Sequence, residues 1–163
     1  MKNTEIERKF LVDKEKWFAF YKEPGICYLQ GYLSIDEEKV VRVRVAGDKG
    51  FITIKGKSEN FSHPEFEYEI PSDDARELIH HFTKTRVEKV RIRITHENHV
   101  WDVDEFLGEN EGLLMAEIEL EHPEETFVKP GWLGKEVTND VRYYNAYLSL
   151  YPFRTWQEKT PNS

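Results

Sequence analysis

The strongest constraint in this chain is a repeated alternation of period two. Its polar members are charged in one segment after another, and each segment is nearly single-signed. Glu5, Glu7 and Lys9 alternate with Ile6 and Phe10. Arg42 and Arg44 alternate with Val41, Val43 and Val45, and Thr53 and Lys55 with Ile52 and Ile54. Further on, Glu65, Glu67 and Glu69 alternate with Phe66, Tyr68 and Ile70, and Lys89, Arg91 and Arg93 with Val90, Ile92 and Ile94. Asp102 and Asp104 flank Val103, and Glu117, Glu119 and Glu121 flank Ile118 and Leu120. The pattern predicts strands at Glu5–Val12, Cys27–Ile35, Lys39–Ala46, Gly50–Lys57, Pro64–Ile70, Val87–Thr95, His99–Phe106 and Met115–Glu121. The short connections Gly47-Asp48-Lys49-Gly50 and His96-Glu97-Asn98-His99 read as hairpins, so the sheet is expected to be mostly antiparallel. Helices are expected at Asp13–Tyr21, from Ser72 to about Phe82, and at Asp140–Leu150. The tail from Ser149 is expected to pack through Tyr151, Phe153 and Trp156 and then fray.

A solvated strand face usually mixes signs, because like charges along one face repel. Segregated signs leave two readings. Acidic strands could pair with basic ones across a solvated face, or the strands could close into a barrel whose interior carries opposed charged walls. The second has a chemical use: carboxylates are oxygen ligands for a hard divalent cation, while Arg and Lys grip phosphate oxygens.

Composition narrows the partners. The 163 residues fit one domain, and 23 Lys+Arg against 31 Asp+Glu give a net charge of −8, which excludes nucleic acid or an anionic membrane held by bulk attraction. Any polyanion must be met by a local cluster of cations. With 39% hydrophobic and 13% aromatic residues, the chain has the material for a core. The lone Cys27 permits no internal disulfide and reads as a small buried strand residue. The amino-terminal residues lack the apolar stretch of a signal peptide and no run is long enough to span a membrane, so a cytoplasmic protein is expected. Other motifs fail. Gly50 to Ser58 has the wrong spacing for a P-loop, His80-His81 and His96/His99 lack metal-site spacing, and Asn60-Phe61-Ser62 is a chance glycosylation pattern.

Glu5-Ile6-Glu7-Arg8-Lys9 resembles the Glu-x-Glu-x-Lys signature of the CYTH superfamily, the triphosphate tunnel metalloenzymes. The resemblance continues through Gln30-Gly31-Tyr32-Leu33, Arg42-Val43-Arg44, Ile54-Lys55, Glu65-Phe66-Glu67, Val87 to Arg91, Asp104 before Phe106 and Gly108, and Ala116-Glu117-Ile118-Glu119. Trp132-Leu133-Gly134-Lys135-Glu136-Val137-Thr138 and Arg142-Tyr143-Tyr144-Asn145 resemble its short bacterial inorganic triphosphatase branch, and together the motifs span residues 4 to 150. The resemblance implies an α+β fold, an eight-stranded antiparallel barrel forming a tunnel, with flanking helices and a carboxy-terminal helix near one mouth. It also implies Mg²⁺- or Mn²⁺-dependent hydrolysis of inorganic tripolyphosphate, a small-molecule triphosphate, to pyrophosphate and phosphate.

By the same resemblance Glu5, Glu7, Glu117 and Glu119 are expected as metal ligands, followed by Asp104, Glu65 and Glu67. Lys9, Arg42, Arg44, Lys55, Lys89 and Arg91 form the expected phosphate clamp, and Glu7, Lys9, Lys89 and Glu119 are the expected catalytic residues, with a second metal or an acidic side chain, Glu7 or Glu119, orienting the attacking water. Arg142 and Asn145 are candidates for closing the tunnel mouth, and Arg8 and Glu88 should pair outside. One position departs from the pattern: many relatives carry Arg where this chain has His63, followed by Pro64, which weakens one phosphate contact. The reading leaves open a class IV-like adenylate cyclase, a nucleoside or thiamine triphosphatase, and a binding-only sensor; it also leaves open a homodimer.

Overall fold

A computed structural model describes residues 4–57 and 62–156. The first eight strands are β1 (Thr4–Val12), β2 (Ile26–Ile35), β3 (Lys39–Ala46), β4 (Lys49–Gly56), β5 (Ser62–Ile70), β6 (Val87–His96), β7 (His99–Phe106) and β8 (Leu114–Glu119). They pair in the order β5-β4-β3-β2-β6-β7-β8-β1, all antiparallel, and β1 returns to β5 through Thr4↔Pro64, Glu5↔His63 and Ile6↔Ser62. The sheet is therefore a closed eight-stranded barrel, as the resemblance implies.

Closure explains the alternation, because every second side chain enters the barrel. Outside, two apolar layers cover the wall. Phe10, Ile92, Trp101, Val103, Ala116 and Ile118 pack with Trp17 of helix α1 (Lys14–Phe18) and with Trp132. Val43 and Val45 pack with Ala75 and Ile79 of helix α2 (Ser72–Phe82). The close approach of α2 needs Gly50, since a Cβ there would stand 2.8 Å from the Ala75 Cβ. Asp73 and Asp74 in the first turn of α2 and His80 and His81 in its last complement the helix dipole.

At one end the inward face turns apolar. Leu11, Val87, Phe106 and Met115 have the same strand parity as Lys9, Lys89, Asp104 and Glu117, yet they form a core with Tyr143, Leu148 and Phe153. This plug fills the barrel where the carboxy-terminal segment folds against it.

Several local expectations need correction. A ninth strand, β9 (Leu133–Glu136), pairs with β1 at Phe10 and Val12, beyond the β5 pairing. The helix expected over Asp140–Leu150 is broken. A 3₁₀ turn at Val141–Tyr143 is separated from α3 (Asn145–Leu150) by Tyr144, whose backbone is extended at φ −78° and ψ 140° and whose hydroxyl donates to the Thr138 carbonyl. Helix α1 stops at Phe18, short of the expected Tyr21. Cys27 is exposed rather than buried. Phe153 is buried and Trp156 packs beside it, while Tyr151 is exposed; the expected fraying lies outside the described residues. Among the described residues no helix is long and apolar enough to cross a membrane.

Candidate functional site

The barrel encloses a cavity of about 1190 Å³ lined from β1, β2, β3, β4, β5, β6, β7, β8 and α3. Its basic side is built on β2, β3 and β6. Arg44 donates to Gln30 Oε1 at 3.1 Å, and its Cζ lies 4.7 Å from the centroid of the Tyr28 ring; Arg91 Cζ lies 4.9 Å from that centroid. One aromatic ring thus stands within cation–π distance of two guanidinium groups. Arg44 has no carboxylate partner among the described residues, and burial followed by the charges of Arg42 and Arg91 pushes its pKa down. Cations crowded in this way, with a cavity before them, have the charge and the open face that an anion requires.

The acidic side is built on β1, β5 and β8. Glu7 stands opposite Glu119, and Lys9 opposite Glu117. Lys9 is ion-paired with Glu117 and, at 3.5 Å, with Glu7. Burial pulls the Lys9 pKa down, but the Glu117 and Glu7 charges outweigh it and hold the ammonium above its ordinary range. Glu5 is held well below the usual carboxylate range: burial raises it, and Glu7, His63 and Lys55 together lower it further. Glu117 is also lowered, the charges of Lys9 and Arg91 outweighing its burial and the nearby Glu7. Glu119 goes the other way, raised by burial and by the carboxylates of Glu5, Glu7, Asp102 and Glu117.

The cavity gathers most residues singled out in the sequence: Glu5, Glu7, Lys9, Arg42, Arg44, Lys55, Glu65, Glu67, Arg91, Glu117, Glu119 and Asn145 all line it. Their placement refines the expected division of labour. Lys55 lies among carboxylates, 3.5 Å from Glu5, 4.0 Å from Glu7 and 3.9 Å from Glu65, and not on the basic side. Arg42 reaches Thr53 at 3.1 Å and Glu67 at 3.5 Å. Lys89 and Asp104 do not line the cavity. Asp104, 2% exposed, accepts two bonds from Arg91 at 2.8 and 2.9 Å and faces Lys89 Nζ at 2.8 Å. It thereby aims the Arg91 guanidinium at the cavity. Lys89 also donates to Asn145 at 3.1 Å; burial, opposed by Asp104 and reinforced by Arg91 and Arg44, pulls its pKa down to about 7. Arg142 turns away to Asp140 at 2.6 Å and does not line this cavity. Arg8 pairs outside with Glu136 at 2.6 Å, as expected of its parity.

Sequence reasoning passed over Tyr28, Gln30, Tyr32 and Tyr144, which stand on the inward face or on the segment leading into α3. Their signal was present, since Tyr28, Gln30 and Tyr32 share one parity on β2.

With this geometry in view, the comparisons with known proteins are consistent with one another. Residues 3–146 match the CYTH domain model. The chain belongs to the CYTH domain family. An inorganic triphosphatase of Acetivibrio thermocellus is 46% identical over 155 residues, covering 94% of this chain and 98% of that protein. An inorganic triphosphatase of Nitrosomonas europaea is 33% identical over 151 residues, covering 90% and 97%. A crystal structure of an inorganic triphosphatase superposes with a TM-score of 0.62 at 32% identity, over 90% of this chain and 97% of that one.

The family implies a divalent metal, and the donor set fits one. Glu5, Glu7 and His63 each bring a ligand atom to within 4.8 Å of the others, and carboxylate oxygens are the donors that hard divalent cations take.

Proposed function

We propose that this protein hydrolyses inorganic tripolyphosphate to pyrophosphate and phosphate with Mg²⁺ or Mn²⁺. The observation that carries this reading is Arg44, half-buried beside Arg42 and Arg91, without a carboxylate partner among the described residues and facing a cavity whose opposite side is acidic. A polyphosphate supplies the missing anion on one side and brings a divalent cation to the other. The triphosphatase relatives, matched over nearly their whole length, support the same substrate class.

Phosphoanhydride hydrolysis needs positioning and charge neutralisation more than covalent participation by the protein. Arg42, Arg44 and Arg91 bind the phosphate oxygens, two of them beside Tyr28 and one held in orientation by Asp104. Lys9 and Lys55 add positive charge among the carboxylates of the acidic side. Glu5 and Glu7 hold the metal, with Glu117 and Glu119 close to them across the β1–β8 pairing. When bound, the metal neutralises phosphoryl charge and makes water a better nucleophile.

Water attacks the terminal phosphorus, the bridging P–O bond breaks, and pyrophosphate leaves with the bond electrons. Glu119 is the residue we assign to take the water's proton. Burial and the carboxylates of Glu5, Glu7, Asp102 and Glu117 raise its pKa, whereas Glu7 is engaged by Lys9 and Lys55. Phosphate release from tripolyphosphate with Mg²⁺ or Mn²⁺, run beside ATP and beside Glu7→Gln, tests the proposal. Metal-dependent release that is lost in the variant is expected. Cyclic AMP from ATP, or tight binding of tripolyphosphate without release, overturns it.

A further inference from the structure

At the seam that closes the barrel, Glu5 of β1 stands directly opposite His63 of β5, and both side chains face the cavity. His63 is only 8% exposed, and its Nε2 has no hydrogen-bond partner among the described residues. That nitrogen lies 3.6 Å from Glu5 Oε1, beyond hydrogen-bond distance, and one ligand atom each from His63, Glu5 and Glu7 lie within 4.8 Å of one another. Buried ring nitrogens are normally satisfied, so an unmet one pointed at two carboxylates calls for a ligand. Donors bound about 2.1 Å from a common ion stand about 3 to 4 Å apart, and His63 Nε2 and Glu5 Oε1, 3.6 Å apart, already have that spacing. Lys55, at 3.5 and 4.0 Å from the same carboxylates, is the cation such an ion must share them with.

We propose that His63 Nε2 is a third protein ligand of the metal held by Glu5 and Glu7. The inference rests on the reading of those two carboxylates as metal ligands given above. It also makes the site selective, because an imidazole nitrogen adds little for Mg²⁺ and more for Mn²⁺ and the later divalent metals. A chain carrying His63 should therefore hold Mn²⁺ in preference to Mg²⁺.

The test needs no turnover. Mn²⁺ and Mg²⁺ are titrated calorimetrically into the full chain without substrate, for wild type, His63→Ala and Glu7→Gln. Wild type loaded with Mn²⁺ is also measured by pulsed electron paramagnetic resonance, with histidine selectively ¹⁵N-labelled. The expected result is a histidine-nitrogen coupling in wild type, and a loss of about tenfold or more in Mn²⁺ affinity in His63→Ala against less than about twofold for Mg²⁺. Mn²⁺ bound tightly without that coupling, or equal losses for the two ions, overturns the role of His63 and leaves Glu5 and Glu7 as ligands. Failure of wild type to bind either ion, or unchanged binding by Glu7→Gln, overturns the carboxylate reading itself, and the inference with it. Should His63→Ala not fold, His63→Gln takes its place, and loss of the coupling in that variant identifies His63 among the six histidines.

Discussion

Asp104→Asn isolates the part of the site that lies behind the cavity wall. The carboxylate takes Arg91 at 2.8 and 2.9 Å and Lys89 at 2.8 Å, and both Asp104 and Lys89 are essentially out of contact with water. The substitution keeps the shape and leaves two buried cations facing a neutral amide. Removing one partner of a buried ion pair costs about 3–5 kcal/mol. Lys89, already pulled down to about 7, can shed its proton at neutral pH, which places the cost toward the lower end of that range. For a domain of this size, 3–5 kcal/mol corresponds to a fall of about 6–20 °C in Tm. Scanning calorimetry and urea unfolding at pH 7 in chelator measure it. Glu67→Gln is the control. Its partner Arg42 is 3.5 Å away and the Glu67 side chain is 43% exposed, so that change should cost less than about 1 kcal/mol. If Asp104→Asn loses no more than Glu67→Gln, the buried cluster is not a stabilising one and the argument fails. The triple change Asp104→Leu, Lys89→Met, Arg91→Met should recover much of the stability while weakening pyrophosphate binding, because an apolar replacement removes the desolvation cost together with the pair.

Arg44→Met should weaken pyrophosphate binding by about 10–100-fold, the worth of a few charge-assisted bonds, while Tm stays level or rises because a crowded cation has been removed; a parallel loss of Tm counts against the anion site. Glu5, Asp104 and Glu117 have folded-state pKa values below their unfolded ones, so the stability they contribute is present above about pH 4 and is lost as the pH falls below it. Calorimetry from pH 7 to pH 3 in chelator should show Tm dropping steeply below about pH 4, and a Tm that rises on acidification refutes the assignment. Glu119→Gln should lower kcat by about 10²–10⁴-fold with little change in calorimetric Mn²⁺ affinity. Retained kcat with the wild-type pH profile would remove Glu119 as the proton acceptor.

The barrel was legible because closure demands only that alternate residues share a face, and alternation is written directly in Glu5-Ile6-Glu7 and Arg42-Val43-Arg44. Depth along the barrel axis is not written there. Lys89 and Arg91 have the same parity and similar chemistry, yet Lys89 is sealed behind Asp104 and Asn145 while Arg91 borders the cavity. The plug decides between them, and it comes from segments distant in sequence: Leu148, Tyr143 and Phe153. The break at Tyr144 was hidden for the same reason, since its hydroxyl bond to Thr138 and the Asn145 contact with Lys89 are tertiary. Strand β9 has four residues including Gly134, too few for periodicity to register, and is held in place by the edge of β1 that β5 leaves free. Arg142 matched a motif, but Asp140 two residues earlier captures it locally.

The arrangement also explains how a chain of net charge −8 can accept a polyanion. Steering by overall charge works against it, so binding must come from inside the barrel. Without substrate, the cations there are largely neutralised by neighbours: Lys9 by Glu117 and Glu7, Lys55 by Glu5, Glu7 and Glu65, Arg91 by Asp104. These pairs spare the interior the cost of isolated buried charges. A polyphosphate entering with a divalent cation brings both signs at once, so phosphate oxygens can take over the cations while the metal takes over the carboxylates. Each side then exchanges an internal partner for an external one, and the buried charge stays compensated throughout. Arg44, which has no carboxylate partner among the described residues, needs no such exchange and can meet the incoming phosphate first.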